Sequence, residues 1–170
     1  MKVVVSGASG LIGSALVAAL RDAGDDVVRL VRRPETAPDE VTWDPVGGGA
    51  HPGDLAARIT DRLGAVDAAV HLSGAGVGDR RWTDGYKREI RDSRVLSTRT
   101  LVRVLTTLDP TPRTLVCSSG VGVYGDRGDE LLTESSPEGS GFLADVVRAW
   151  EAEAQRAAES GIRVVSMRNG

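Results

Sequence analysis

The sequence predicts an α/β fold: a doubly wound parallel sheet in strand order 3-2-1-4-5-6, with helices on both faces. Short apolar runs of strand length alternate with longer stretches of helical spacing, which is the signature of βαβ units. The first run, Lys2-Val3-Val4-Val5-Ser6, opens directly into a glycine-spaced turn and a helical pattern. With 170 residues, 41% of them hydrophobic, the chain suffices for one buried core, so residues 1–170 read as a single domain.

The unbroken apolarity of residues 2–6 suits a strand buried on both faces. Leu11, Ile12, Ala15, Leu16, Ala19 and Leu20 recur at helical spacing and outline the first helix, and Gly24 sits where a C′ glycine would end it. Residues 27–31 read as the second strand and Val41-Thr42-Trp43 as a weak third. A helix over 54–63 and a strand over 68–72 follow. The longest helix is expected from about residue 83 to 108, with Trp82, Tyr86, Ile90, Leu101 and Leu105 spaced for one face, and Asp109-Pro110 stops it. Residues 114–118 form the fifth strand and 125–141 a polar loop. A helix over 142–160 places Phe142, Val146, Trp150, Ala154 and Ala157 near one face, Gly161 closes it, and 163–167 is the sixth strand.

Composition narrows the function. The chain carries 21 basic and 24 acidic side chains, a formal charge of −3, which gives no electrostatic basis for nucleic acid or an anionic membrane as partner. The lone Cys117 excludes an internal disulfide framework and a Cys-based zinc cage, and no other metal-ligand set is present. No apolar run approaches the ~20 residues that span a bilayer. The N-terminus enters a strand without a signal-peptide pattern. The expectation is a cytoplasmic protein whose partner is a small molecule.

Ser6-Gly7-Ala8-Ser9-Gly10-Leu11-Ile12-Gly13 joins the first strand to the first helix. Gly7 permits the turn, Gly10 lets backbone approach a pyrophosphate, and Gly13 lets helix and strand pack closely. The exposed N–H groups and dipole of the helix N-terminus then hold the anion. The spacing is GxxGxxG rather than GxGxxG, but with a strand before and a helix after it the reading is dinucleotide binding. At the end of the second strand, where NAD sites place an acid for the ribose 2′-OH, stands Arg29-Leu30-Val31-Arg32-Arg33-Pro34. An arginine fork matches a 2′-phosphate, so Arg32 and Arg33 favour NADP(H) over NAD(H).

The glycine loop, Ser118-Ser119-Gly120-Val121-Gly122-Val123-Tyr124-Gly125, and Thr133-Glu134 with Pro137 together resemble the extended short-chain dehydrogenases of epimerase/dehydratase type. Trp43-Asp44-Pro45, Leu72-Ser73-Gly74-Ala75-Gly76-Val77, Arg81-Trp82-Thr83 through Lys87, Ile90, Ser93-Arg94 and Ser97-Thr98 are similar to a bacterial subgroup of sugar-nucleotide epimerase type. So is the helix from Phe142-Leu143-Ala144-Asp145-Val146 to Trp150-Glu151. The resemblance implies a Rossmann-type domain and roles for single residues. Leu72, Ser73, Gly74 and Ala75 would pass beside the nicotinamide-side ribose and pyrophosphate, and Asp44 would lie near the adenine. Ser118 and Ser119 would end the fifth strand near the nicotinamide, and Arg81 and Trp82 would line the substrate pocket. The long helices are the surface on which the superfamily commonly forms a four-helix homodimer.

The sequence departs from that family at the acid/base pair. Tyr-x-x-x-Lys normally occupies the helix after the fifth strand, so that the ammonium depresses the tyrosine pKa. Registered against Glu151, Leu143 falls at the tyrosine position and Val147 at the lysine position; the only tyrosines are Tyr86 and Tyr124, the only lysines Lys2 and Lys87. The assisting hydroxyl is displaced as well: Gly120 stands where Ser or Thr is expected, with Ser119 beside it as the candidate catalytic hydroxyl. Arg80 and Arg81 read either as a solvated pair or as an anion contact. Tyr86-Lys87 is no substitute dyad, since adjacent helix positions point about 100° apart. His71 reads as a core side chain and His51 as a loop residue without a ligand partner.

Two functions stay open on these residues: an NADP(H)-dependent oxidoreductase of epimerase type working without the usual dyad, or a non-catalytic NADP(H)-binding sensor. The chain stops at Arg168-Asn169-Gly170, directly after the sixth strand. Extended members carry their substrate-binding segment beyond that point, so the expectation is a chain truncated at its C-terminus.

Overall fold

The computed structural model describes residues 1–46 and 51–170. Its strands are β1 (Lys2–Ser6), β2 (Asp26–Val31), β3 (Glu40–Thr42), β4 (Ala68–His71), β5 (Thr114–Gly120) and β6 (Arg163–Asn169). They form one parallel sheet in the order β3-β2-β1-β4-β5-β6. The helices are α1 (Leu11–Asp22), α2 (Pro52–Leu63), α3 (Asp84–Leu105) and α4 (Phe142–Gln155), with 3-10 turns at Val121–Tyr124 and Arg156–Ser160. The doubly wound architecture and the strand order agree with the sequence reading.

Register explains the core. Val4 pairs with Val28 on one side and Ala69 on the other, Ala69 with Leu115, and Leu115 with Val164. This row faces α2 and α3, where Ile59, Leu63, Leu101 and Leu105 close over it. On the opposite face α1 covers Val3, Val5 and Val27. Among the described residues the helices are thus shared unequally, α1 against one face and α2, α3 and α4 across the second. Because β1 is paired on both edges, with β2 and β4, and buried on both faces, period-2 polarity disappears in it, as continuous valine requires.

The apolar residues that outline α1 in the sequence are not the ones it buries. Gly13 and Val17 face the sheet with Leu20 partly buried beside them, while Leu11 is 92% and Ile12 56% exposed. Gly13 sets this rotation: its Cα rests on the Gly7 backbone, and positions 17 and 20 follow on the same face. Trp82 also leaves its expected place, lying outside α3 ahead of the Thr83 cap. Thr83 accepts from the Tyr86 N–H at 3.2 Å and so starts the helix after Trp82. α3 ends at Leu105 rather than at the proline, and α4 tightens to a 3-10 turn after Gln155 before Gly161, at φ 79°, reverses the chain. β5 and β6 run on to Gly120 and Asn169 because their parallel pairing continues to the lip. His51 caps α2, its Nδ1 accepting from the Gly53 N–H at 3.2 Å. No helix among the described residues is long and apolar enough to cross a membrane.

Candidate functional site

The order 3-2-1-4 places a topological switch between β1 and β4, and the glycine loop lies at that crevice. Gly7 adopts φ 74°, and a Cβ there would lie 2.6 Å from the Leu72 carbonyl carbon. A Cβ on Gly13 would lie 2.2 Å from the Gly7 oxygen. These two glycines are therefore demanded by backbone packing. Gly10 is different: its Cβ would meet only the Gly7 oxygen at 3.4 Å, an ordinary contact. Gly10 caps α1 without any side-chain hydrogen bond, so the first N–H groups of the helix stay open at the lip beside exposed Ser9, Leu11 and Ile12. Ser6 does not face this lip. It is fully buried, its Oγ lies 2.6 Å from His71 Nδ1, and its carbonyl accepts from the Leu72 N–H.

His71 extends that contact through the core. Its Nε2 lies 3.2 Å from Ser97 Oγ, which donates to the Ser93 carbonyl at 2.6 Å. With its hydrogen given to Ser93, Ser97 accepts from Nε2–H, leaving Nδ1 to accept from Ser6. Burial pushes the His71 pKa down to about 4, so the ring is neutral, a core side chain as its sequence position implies.

Residues 72–76 form the second wall. α3 grips its centre: the Ala75 N–H donates to Ser93 Oγ at 3.0 Å and the Ala75 oxygen accepts from Arg94 Nη1 at 2.9 Å. Tyr86 donates its hydroxyl to the Gly76 carbonyl, which engages this tyrosine in fold rather than chemistry. Gly74 is exposed, and Ser73 partly so.

Arg32 and Arg33 part company. Arg32 is exposed and forms no hydrogen bond or ion pair among the described residues. Arg33 forks onto Glu40, a carboxylate 1% exposed, and also donates to Thr36 and the Pro34 carbonyl. The guanidinium of Arg33 and the Thr36 N–H hold the Glu40 pKa down to about 2. Asp44 lies exposed just past β3, its Oδ1 accepting from the Val46 N–H at 3.0 Å.

The ends of β5 and β6 carry a polar cluster that the motifs did not reveal. Ser118 and Ser119 point to opposite faces; Ser118 accepts from Asn169 Nδ2 at 3.1 Å, whereas Ser119 is 5% exposed and donates to Glu151. Arg168 clamps Glu151 with two bonds of 2.9 Å and donates to the Tyr124 hydroxyl at 2.8 Å. That pairing, then the Ser119 bond, holds Glu151 below the usual carboxylate range and raises Arg168. Beside it Val147 packs with Val123 and Tyr124, and Leu143 lies 3.2 Å from where a Gly122 Cβ would stand. Leu143 and Val147 are therefore both apolar contacts. Burial pushes the Cys117 thiol up to about 12, so it is no nucleophile. Arg81 is exposed, and Trp82, 42% exposed, meets Phe142 edge-on at 5.3 Å and donates to the Val77 carbonyl at 2.7 Å.

An uncapped helix N-terminus on a turn held tight by Gly7 and Gly13, with room at Gly10, fits the diphosphate of a dinucleotide. Comparisons with known proteins agree. The NAD dependent epimerase/dehydratase family matches residues 3–170. An epimerase family protein of Mycobacterium bovis, Mb2239, is 41% identical over 168 residues, covering 99% of this chain and 52% of its own length. The human epimerase family protein SDR39U1 is 33% identical, covering 97% and 53%. Among solved structures, the nucleoside-diphosphate sugar epimerase of Corynebacterium glutamicum superposes with a TM-score of 0.81 at 38% identity, covering all of this chain and 34% of the other. Human SDR39U1 isoform 2, solved with NADPH, gives 0.81 at 31% identity, covering 100% and 54%. The chain spans about half the length of the curated relatives it matches.

Proposed function

The chain belongs to the NAD dependent epimerase/dehydratase family, and from that premise we propose that it binds NADP(H) as an oxidoreductase of epimerase type acting on a small substrate of the nucleotide-sugar class. The observation that carries the reading is the uncapped N-terminus of α1 on the Gly7–Gly13 cradle at the β1/β4 switch point. In this reading Gly7, Ser9, Gly10, Leu11, Ile12 and Gly13 hold the diphosphate through backbone, with Ser6 bracing the loop from below. Arg32 takes the 2′-phosphate, because its guanidinium has no partner among the described residues while Arg33 is engaged by Glu40. Asp44 lies on the adenine side, and Leu72, Ser73, Gly74 and Ala75 form the wall along the other half. NADPH in the human relative supports the cofactor, and the sugar-nucleotide epimerase of C. glutamicum supports the substrate class.

Hydride chemistry is supplied by the nicotinamide when bound; the chain contributes orientation and charge. Ser118 and Ser119 stand at the strand end nearest that chemistry. Ser119 acts through Glu151, whose carboxylate holds its hydroxyl in one orientation, and Arg81 and Trp82 border the substrate side. A calorimetric titration tests the reading: NADPH binds at least about tenfold more tightly than NADH, a difference of ~1.4 kcal/mol. Equal affinities remove the Arg32 assignment, and no binding of either removes the cofactor.

The packing of Val147 with Val123 and Tyr124 favours a second reading, a non-catalytic NADP(H)-binding module. Tight NADPH binding without NADPH oxidation in the presence of carbonyl compounds or nucleotide sugars selects that module; turnover selects the enzyme.

A further inference from the structure

Arg94 is a half-buried cation without an acidic partner. One terminal nitrogen, Nη1, makes all of its hydrogen bonds, to the Ala75 carbonyl at 2.9 Å and the Ile90 carbonyl at 3.1 Å. Its Nε and Nη2 have no acceptor among the described residues, yet neither is sealed from solvent as the orphaned Arg99 Nε is. Arg29, Arg33, Arg99 and Arg168 each meet a carboxylate within 3.0 Å, whereas Arg94 meets none. The Trp150 ring lies 5.3 Å from the guanidinium carbon, and Tyr86 is near enough to act on its charge. Burial accordingly lowers its pKa, opposed by Tyr86 alone among the described residues. A planar cation with free N–H donors in a partly dry site is a receptor for oxygen acceptors, anionic ones above all.

Its place defines which acceptors. The absent side chain of Gly74 lets the guanidinium rise to the 72–76 wall, since a Cβ there would lie 3.1 Å from Arg94 Cζ. The same wall touches the phosphate loop where Leu72 meets Gly7. Across the α3–α4 contact, Ile90 packs with Val146, and one turn further Arg94 reaches Trp150. Arg94 therefore stands level with Trp150, one turn beyond Val146, with its guanidinium turned to the 72–76 wall.

We propose that Arg94 binds the diphosphate–ribose oxygens on the nicotinamide side of the dinucleotide, which the strand order puts on the β4 side of the phosphate loop, opposite the β2 end that carries Arg32. The assignment rests on the dinucleotide reading above and adds to it a residue that selects the nicotinamide half.

The test titrates the full chain with NADPH and with adenosine 2′,5′-bisphosphate, which retains the adenine side and lacks the nicotinamide half. Arg94→Met keeps the Trp150 contact and Arg94→Gln keeps a donor for Ala75; whichever is folded by circular dichroism serves as the neutral variant, and Arg94→Lys restores charge. The expected result is an NADPH dissociation constant raised about tenfold or more in the neutral variant, within the range for a charge-assisted bond. Arg94→Lys recovers most of the loss, and the bisphosphate binds all forms alike. Unchanged NADPH affinity in the neutral variant, equal weakening of both ligands, or no recovery with lysine each overturns the assignment. Failure of the unmutated chain to bind either NADPH or NADH overturns the cofactor reading and this one with it, so the two failures are distinct.

Discussion

Arg33 closes a two-point fork on Glu40, Nη1 to Oε2 at 2.8 Å and Nη2 to Oε1 at 2.7 Å, around a carboxylate that is 1% exposed. Arg29 reaches the same Glu40 at 3.0 Å. One arginine of the Arg32-Arg33 pair is thus a structural counter-ion, and its neighbour has no partner among the described residues.

Separate substitution of the two divides affinity from stability. Arg32→Ala raises the NADPH dissociation constant about tenfold, leaves NADH binding unchanged and leaves Tm unchanged, as loss of one surface phosphate contact does. Arg33→Ala lowers Tm by several degrees, because Glu40 keeps only Arg29 and its Thr36 bonds. Calorimetry with both dinucleotides, paired with thermal melts, checks both outcomes.

The glycines separate in the same manner. Gly13→Ala drives a methyl into the Gly7 oxygen and the Ala8 Cα, 2.2 and 2.9 Å away, both backbone atoms that cannot swing aside. Urea unfolding should show a loss of about 3 kcal/mol. Gly10→Ala meets only a 3.4 Å contact, changes stability by less than about 1 kcal/mol and still weakens NADPH, because the methyl stands where ligand approaches.

His71 makes stability depend on pH above the carboxylate range. Its folded pKa, about 4, lies below the ordinary 6.5, so protonation favours the unfolded chain. The stabilisation is complete above pH 6.5 and is lost progressively down to pH 4, a total of about 3 kcal/mol. Urea unfolding between about pH 7 and pH 4.5 measures that slope, and His71→Gln flattens it. Glu40 and Glu151, with depressed pKa values, add their own losses only at lower pH.

The β5–β6 cluster yields graded losses. Ser119→Ala removes one bond to a carboxylate that Arg168 still holds and costs about 1 kcal/mol. Arg168→Met strands a largely buried Glu151, 19% exposed in its side chain, and costs about 2 kcal/mol, less than a fully buried pair because solvent still reaches it. Denaturant titration of the two variants checks the order, and a Ser119→Ala loss equal to that of Arg168→Met contradicts it.

Much of this fold was legible in residue order. The strand–glycine–helix passage and the strand order agree with the structure. Where spacing misled, in the Leu11 and Ile12 side of α1 and in Trp82, a contact overrode it: Gly13 against the Gly7 backbone, and the Thr83 cap. The Glu151–Arg168 clamp and the Ser93–Arg94 grip on Ala75 join residues 17 to 19 positions apart on different elements, and no single-segment pattern contains them.

The sequence by itself determined the parallel α/β sheet, the glycine cradle and the absence of a tyrosine or lysine beyond residue 124, because periodicity, backbone freedom and residue identity are local properties. Only the tertiary structure decided which charges are available. Arg32 and Arg33 are chemically identical neighbours, and Arg94 is a third arginine of the same chemistry; their fates differ because the crossovers carry Glu40 to Arg33 and, among the described residues, no carboxylate to the others. Ion pairing and desolvation belong to pairs of residues in space, and chain topology chooses the pairs.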